Sequence, residues 1–515
     1  MRSFCLLALL FAVACGGSES DRSVFIWGKS GDAVKLDPAN VTDGESVMVL
    51  TNIFDTLVTF EEGSIEIIPW LAESWEHNEA RTVWTFKLRQ GVTFHDGTPV
   101  NADAVVFSFM RQKDPAHPAR RPDDAFAYYN DNFDALDKIE AVDEHTVRFT
   151  LSRTFAPFLS TLAMFCTAIV APSGFEDGND FATNPIGSGP FRFLEWKKDE
   201  FIKLEAFEDH FAGRPGVDLL IFKPIKQPEV RLKELESGGI QGMDNPSLVD
   251  VKRLEGSTDV QLLSAPGINV CYLALNTQKA PFDNKLVRQA AAWCIDKKRL
   301  IEAAYAGYGE PAVSMCPKTM KGHLAMKDRE PDPEKARQLL AEGGYPQGVE
   351  IELWYPVIQR AYLPDSGATA IQLQQALEKG GFKVKLRKVE WTAYLEGTGN
   401  GAHQACIIGW MADIGDPDNY LYVLLDKENA VPPGANNRSF YTSEAYHQLV
   451  SKARSVPVWE EREKIYHEAQ RLLFEDMPCV PLVTVPDFRV LAKGVTGYTI
   501  YPAGGEYFRA VQVNK

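Results

Sequence analysis

The stretch GWMADIGDPDNYL, Gly409 to Leu421, puts the carboxylates Asp413, Asp416 and Asp418 directly after the apolar run QACII. Carboxylates at this density serve cation coordination, paired acid–base catalysis, the anchoring of a cationic ligand, or turn capping. The calcium reading fails on spacing. An EF-type loop alternates its oxygen ligands and needs Gly at position six and Glu at twelve, whereas here the acids fall at 1, 4 and 6 and Pro417 fixes the local turn. Asp416 and Asp418 are therefore expected to shape a turn by bonding nearby backbone amides. Asp413 differs, because it comes straight off a buried apolar strand, where a lone carboxylate is costly unless it meets a cation or is well hydrogen-bonded. Arg360, in IQRAYLP, is the candidate cation, with a guanidinium able to hold a carboxylate by two parallel bonds. Two readings stay open: the two residues pair with each other, or each holds an opposite charge on a ligand.

Other chemistry finds little support. The sequence has no G-x-S-x-G, no P-loop and no G-x-G-x-x-G; His467-Glu468 lacks the second His of H-E-x-x-H, and GSG at 187–189 is a turn signal. The nine histidines form no i,i+4 chelating pair, and the body cysteines Cys166, Cys271, Cys294, Cys316, Cys406 and Cys479 form no C-x-x-C. Several lie in apolar runs, as buried thiols do, although a disulfide such as Cys294–Cys316 stays open. No catalytic residue, metal or cofactor is expected.

Positioning Asp413 and Arg360 falls to the block 350–421. EIELWYPV is a strand, SGATAIQLQQALEKGG a helix capped at Asp365 or Ser366 and stopped at Gly380-Gly381, KVKLRKVEW a second strand, and QACIIGW a third, buried on both faces. Strand–helix–strand units of this kind build a mostly parallel sheet with right-handed crossovers. Ligands sit beyond the carboxyl ends of such strands, which places Arg360 and Asp413 at one sheet edge. Elsewhere RTVWTFKLR (81–89) alternates as a half-buried strand, Asn101 caps a helix, Asp332, Pro333 and Gly343 bound another, and two helical pieces flank Asp296.

At 515 residues the chain exceeds one hydrophobic core, so two or more domains are expected. A formal charge of −16 with no basic run argues against nucleic-acid binding. MRSFCLLALLFAVAC carries one early cation and a short apolar run, a signal h-region rather than a membrane span. Its AVAC ending resembles a bacterial lipobox with Cys15 as the lipidated residue, an ordinary cleaved signal being the alternative, and GGSESDRS follows as a flexible tether.

LAESWEHNEARTVWTFKLRQGVTFHDGTPVNADAVVFSF (71–109), NPIGSGPF, LALNTQKAPFDNKLVRQAAAWCID and DPEKARQLLAEGG occur in that order. With these four blocks nearly the whole mature chain resembles the extracellular solute-binding proteins of the peptide and nickel type, receptors of bacterial ABC importers. It is most similar to the dipeptide-binding group. The resemblance implies an α/β, two-lobed, three-domain fold of the periplasmic-binding-protein kind with a hinge between lobes. Residues 1–22 would be signal and tether, 23–57, 186–267 and 487–515 a discontinuous domain I, 58–185 domain II, and 268–486 domain III. Strands near 268–275 and 480–487 would carry the hinge.

The same resemblance implies the site residues. Arg360 in QRAY would bind a ligand's carboxylate and Asp413 in GWMADIGDPDN its ammonium, with Tyr362, Trp391, Gly409 and Trp410 around them and Thr42 in ANVTDGES near an N-terminal contact loop. The aromatic of the other lobe would be Phe126, Tyr128 or Tyr129. The expected function is capture of short peptides, dipeptides above all, by a monomeric receptor. It would sit in the periplasm or at the cell surface, lipid-anchored through Cys15, and deliver to an ABC permease in the cytoplasmic membrane. Longer peptides, glutathione, haem or chelated nickel are the alternatives within the family, and a peptide hydrolase is the alternative from another class.

Overall fold

The structure, a computed structural model, describes residues 22–176, 178–503 and 505–514. The signal segment and Cys15 lie outside the described residues. Three larger sheets organise the rest. The strand Val24–Lys29, with Phe25 and Trp27 fully buried, is central to a seven-stranded sheet. Its order is Val260–Ala265, Asp487–Ala492, Gly242–Asp244, Val24–Lys29, Leu219–Pro224, Phe201–Ala206, Phe191–Lys197. Val24–Lys29 pairs in parallel with both neighbours, and the outer strands are antiparallel.

A four-stranded antiparallel sheet holds Ala72–His77, Val83–Leu88, Thr146–Leu151 and Leu136–Asp143 in that order. Helix Ala102–Lys113 packs on it, started where the Asn101 side chain accepts the Ala104 N–H. The two sheets are tied by a buried polar knot. The Asp55 carboxylate accepts from Trp70 Nε1 at 2.6 Å and Ser188 Oγ at 2.8 Å.

The third sheet, of six strands, runs Glu310–Pro311, Cys479–Thr484, Asn269–Leu275, Ala405–Met411, Val349–Pro356, Phe382–Val389. Only its last three strands are parallel neighbours; the others pair antiparallel. The parallel part is thus confined to the strand–helix–strand block read from the sequence. The block's helix Ser366–Lys379 is capped by Asp365 and stops at Gly380, and Asp332 and Gly343 bound Pro333–Glu342.

The chain passes between the seven- and six-stranded sheets twice, after Ala265 and after Thr484, and the two crossings run side by side. All six body cysteines are free and buried, so no Cys294–Cys316 bridge forms. Among the described residues no helix is long and apolar enough to cross a membrane.

Candidate ligand-binding site

Three adjacent parallel strands end at one edge, and each delivers a side chain. Val349–Pro356 is followed by Arg360, Phe382–Val389 by Trp391, and Ala405–Met411 by Asp413. The Arg360 segment is closed by two backbone bonds, Arg360 N–H to Leu363 O at 3.0 Å and Leu363 N–H to Arg360 O at 2.8 Å. That tight turn sends Tyr362 inward, where it packs on Gly409. A Cβ at Gly409 would lie 2.6 Å from Tyr362 Cγ and 2.6 Å from the Val270 carbonyl oxygen, so only glycine lets ring and strand meet. Burial pushes the Tyr362 hydroxyl up to about 12, so it stays a neutral wall. The Arg360 guanidinium lies over the Trp391 indole, 4.2 Å from the ring centroid, a cation–π contact that sets its plane. Its Nε is buried without a hydrogen-bond partner among the described residues.

Asp413 is half-buried. Its backbone N–H donates to Asn419 Oδ1 at 3.1 Å, Asn419 Nδ2 lies 3.5 Å from its Oδ2, and the Tyr128 hydroxyl lies 3.5 Å from its Oδ1. Desolvation pushes its carboxyl up to about 6, opposed by those two donors and by no cation. Among the described residues neither Asp413 nor Arg360 joins an ion pair within 4.0 Å. Of the two readings left open by the sequence, a mutual structural pair is therefore excluded.

The neighbouring acids need a correction. Asp416 does act as turn chemistry, its Oδ1 accepting the Asp418 N–H at 2.9 Å. Both carboxylates are also buried against arginines. Asp416 holds Arg462 by two bonds of 2.6 and 2.7 Å, and Asp418 lies 3.3 Å from Arg454 Nε. Those cations come from helices Trp459–Asp476 and Glu444–Ser455, which local spacing could not foresee. The segment is pinned by long-range ion pairs as well as by its turn.

Tyr128, from helix Ala127–Asn132, is the aromatic that reaches Asp413. Phe126 instead is fully buried beside Arg111 and Arg120, and Tyr129 stacks on Phe133. Trp410 is half-buried and donates its indole N–H to Asn419 Oδ1 at 2.8 Å. Thr42 is exposed in the loop before helix Gly44–Ile53, one residue ahead of its cap Asp43. Asn419, buried between Trp410 and Asp413, is the site residue that local sequence signals miss. Its only local signal is its place after a Gly-Asp-Pro-Asp turn.

A second group of ligand-type side chains, Asp426, Glu428 and His447, is closed on itself. Asp426 accepts the Glu428 N–H at 2.9 Å and faces His447 Nδ1 at 2.9 Å.

Residues 66–431 match the family described as "Bacterial extracellular solute-binding proteins, family 5 Middle". The chain is 34% identical over 479 residues to the dipeptide-binding protein of Escherichia coli K12, covering 90% of this chain and 89% of that one. It is 35% identical over 513 residues to heme-binding protein A of Haemophilus influenzae, covering 96% and 93%. Among solved structures, the periplasmic binding protein DppA of Helicobacter pylori in complex with the peptide STSA superposes with a TM-score of 0.86 at 35% identity, covering 96% of this chain and 99% of that one.

Proposed function

The chain belongs to family 5 of the bacterial extracellular solute-binding proteins, and within that family we propose that it captures short peptides, dipeptides above all, by closing two lobes over them. The observation that carries this reading is the pair of unneutralised opposite charges. Asp413 and Arg360 leave neighbouring parallel strands at the same edge, each held by packing and neutral contacts rather than by a counter-ion.

A zwitterionic peptide supplies both missing partners, its ammonium to Asp413 and its carboxylate to Arg360. A dipeptide spans at most ~7 Å between those termini, so fixed anchors act as a ruler on length and leave side chains free. Each charge-assisted contact contributes roughly 1.5–3 kcal/mol once desolvated. Trp391 and Tyr362 form walls, Gly409 and Trp410 set the strand end, and Thr42, exposed in its loop, is the contact assigned to the other lobe. Closure is the output, since a ligand stabilises the closed form only by its differential affinity for it.

The remaining assignments belong to the same proposal. Domain I comprises 23–57, 186–267 and 487–515, domain II 58–185, and domain III 268–486. The receptor is a monomer in the periplasm or at the cell surface, tethered by lipid on Cys15, and hands its peptide to an ABC permease. Longer peptides are the second reading, favoured by the tetrapeptide STSA in the Helicobacter pylori relative. Haem is the third, favoured by the name of the Haemophilus influenzae relative.

The test is Asp413→Ala, which should leave a folded protein with no measurable dipeptide binding in calorimetry. N-acetylation of the dipeptide should reproduce the loss in the wild type. Unchanged affinity in the variant would refute the ruler. Tripeptides, tetrapeptides and haem in the same titrations separate the other readings.

A further inference from the structure

We propose that Asn419 is the positioning residue of this site: its side-chain amide holds the Asp413 carboxylate in the orientation that receives a ligand's ammonium. The inference rests on the peptide reading and goes further by naming what tunes the anchor.

Asn419 is 3% exposed. Its Oδ1 accepts two N–H groups, the Trp410 indole at 2.8 Å and the Asp413 backbone at 3.1 Å. Two donors on one amide oxygen fix which way the amide faces. Nδ2 is thereby turned toward Asp413 Oδ2 at 3.5 Å, while the Tyr128 hydroxyl stands 3.5 Å from the other oxygen. Each carboxylate oxygen thus has one neutral, long-range donor. Such donors orient the anion while leaving its charge for a ligand, whereas a Lys or Arg in the same place would compete with the ligand's ammonium. The other titratable groups acting on or responding to Asp413 are Tyr128 from the helix of the opposite lobe, Cys166 from the turn Phe165–Thr167, and Tyr420 beside Asn419. Tyr128 is raised first by the Asp413 charge and then by burial, and Cys166 and Tyr420 first by burial, so each stays neutral at working pH and none brings a charge to Asp413.

The arrangement also joins the two anchors. Arg360 and Tyr362 share one closed turn, Tyr362 packs on Gly409, Trp410 follows it, and the Trp410 indole holds Asn419.

The experiment titrates alanyl-leucine into the wild type, Asn419→Ala and Trp410→Phe by calorimetry from pH 5.5 to 8.5. Loss of the Asn419 donor leaves Asp413 easier to protonate, so Asn419→Ala should bind at least tenfold more weakly at pH 6.5 and lose less at pH 8.5. Trp410→Phe, which frees the amide without removing it, should show the same trend at a smaller size, and it carries the test if Asn419→Ala does not fold. A purely structural role predicts one fold-loss at every pH. That result, or no loss, overturns the assignment while leaving the peptide reading intact. Failure of the wild type to bind alanyl-leucine overturns both.

Discussion

Burial raises the Asp413 carboxyl from an ordinary 3.8 to about 6, even with Asn419 and Tyr128 donating to it. Between those two values the folded, ligand-free protein binds a proton that the unfolded chain releases. The contribution of this group to stability is therefore present at low pH and is lost as pH rises through about 6. At neutral pH the ionised carboxylate costs the ligand-free fold up to about 3 kcal/mol, a cost that the proposed ammonium contact offsets. Asp413→Asn should consequently raise the melting temperature of the ligand-free protein at pH 7.5 while abolishing dipeptide binding. The sign for affinity is opposite, because the ammonium requires the anion. Binding should vary little between pH 7 and 8 and weaken about tenfold for each pH step below 6. Burial also raises Asp418 and Asp487 to about 6, so the Asp413 share is the difference between wild-type and Asp413→Asn melting curves. A variant no more stable than the wild type at pH 7.5 would show that the enclosed charge carries no cost.

The strand Ala405–Met411 and the turn after it carry the chain from a buried sheet position to the proposed anchor Asp413. Gly409 is the sensitive point. A methyl there meets both the Tyr362 ring and the Val270 carbonyl of the neighbouring strand. Gly409→Ala should cost roughly 1–3 kcal/mol by overpacking, and chemical denaturation should show it. Displacement of Tyr362 should also disturb the Arg360 turn, so dipeptide affinity should fall in protein that remains folded at low temperature. Much of this element was legible in advance, because its signals are local: apolar runs for strands, Asp365 as cap, Gly380 as stop. The parallel pairing behind the shared edge follows from the strand–helix–strand order. What escaped were contacts between distant residues, namely the Arg462 and Arg454 partners of Asp416 and Asp418, the antiparallel strands that complete the sheet, and the role of Asn419. No periodicity encodes which helix will lay a guanidinium over a given turn.

Across the whole molecule, the segment proposed to read the ligand is also the one the other lobe touches. Tyr128 reaches Asp413, Ile65 packs so closely on Gly415 that a Cβ there would lie 2.7 Å from its carbonyl oxygen, and the Ala156 N–H donates to the Arg454 carbonyl at 2.7 Å. Arg454, which faces Asp418, is sandwiched with its guanidinium 4.9 Å from the Phe155 ring centroid and 3.7 Å from that of Tyr422. The two crossings are braced by the buried Asn269, whose amide exchanges hydrogen bonds of 2.8 and 3.0 Å with the Val485 backbone. A braced pair of crossings resists shear and leaves rotation as the soft motion, so closure is decided by contacts at the cleft mouth. Phe155→Leu tests this, because it removes the ring face under Arg454 and keeps an apolar side chain in a site that is 2% exposed. A cation–π contact of roughly 0.5–1 kcal/mol that exists only when the lobes meet should appear as a two- to fivefold weaker peptide affinity. It should act through faster release, read at a temperature where the variant, which loses core volume at a site 2% exposed, is still fully folded. An unaltered release rate would mean that the Phe155–Arg454 contact persists in the open form and takes no part in closure.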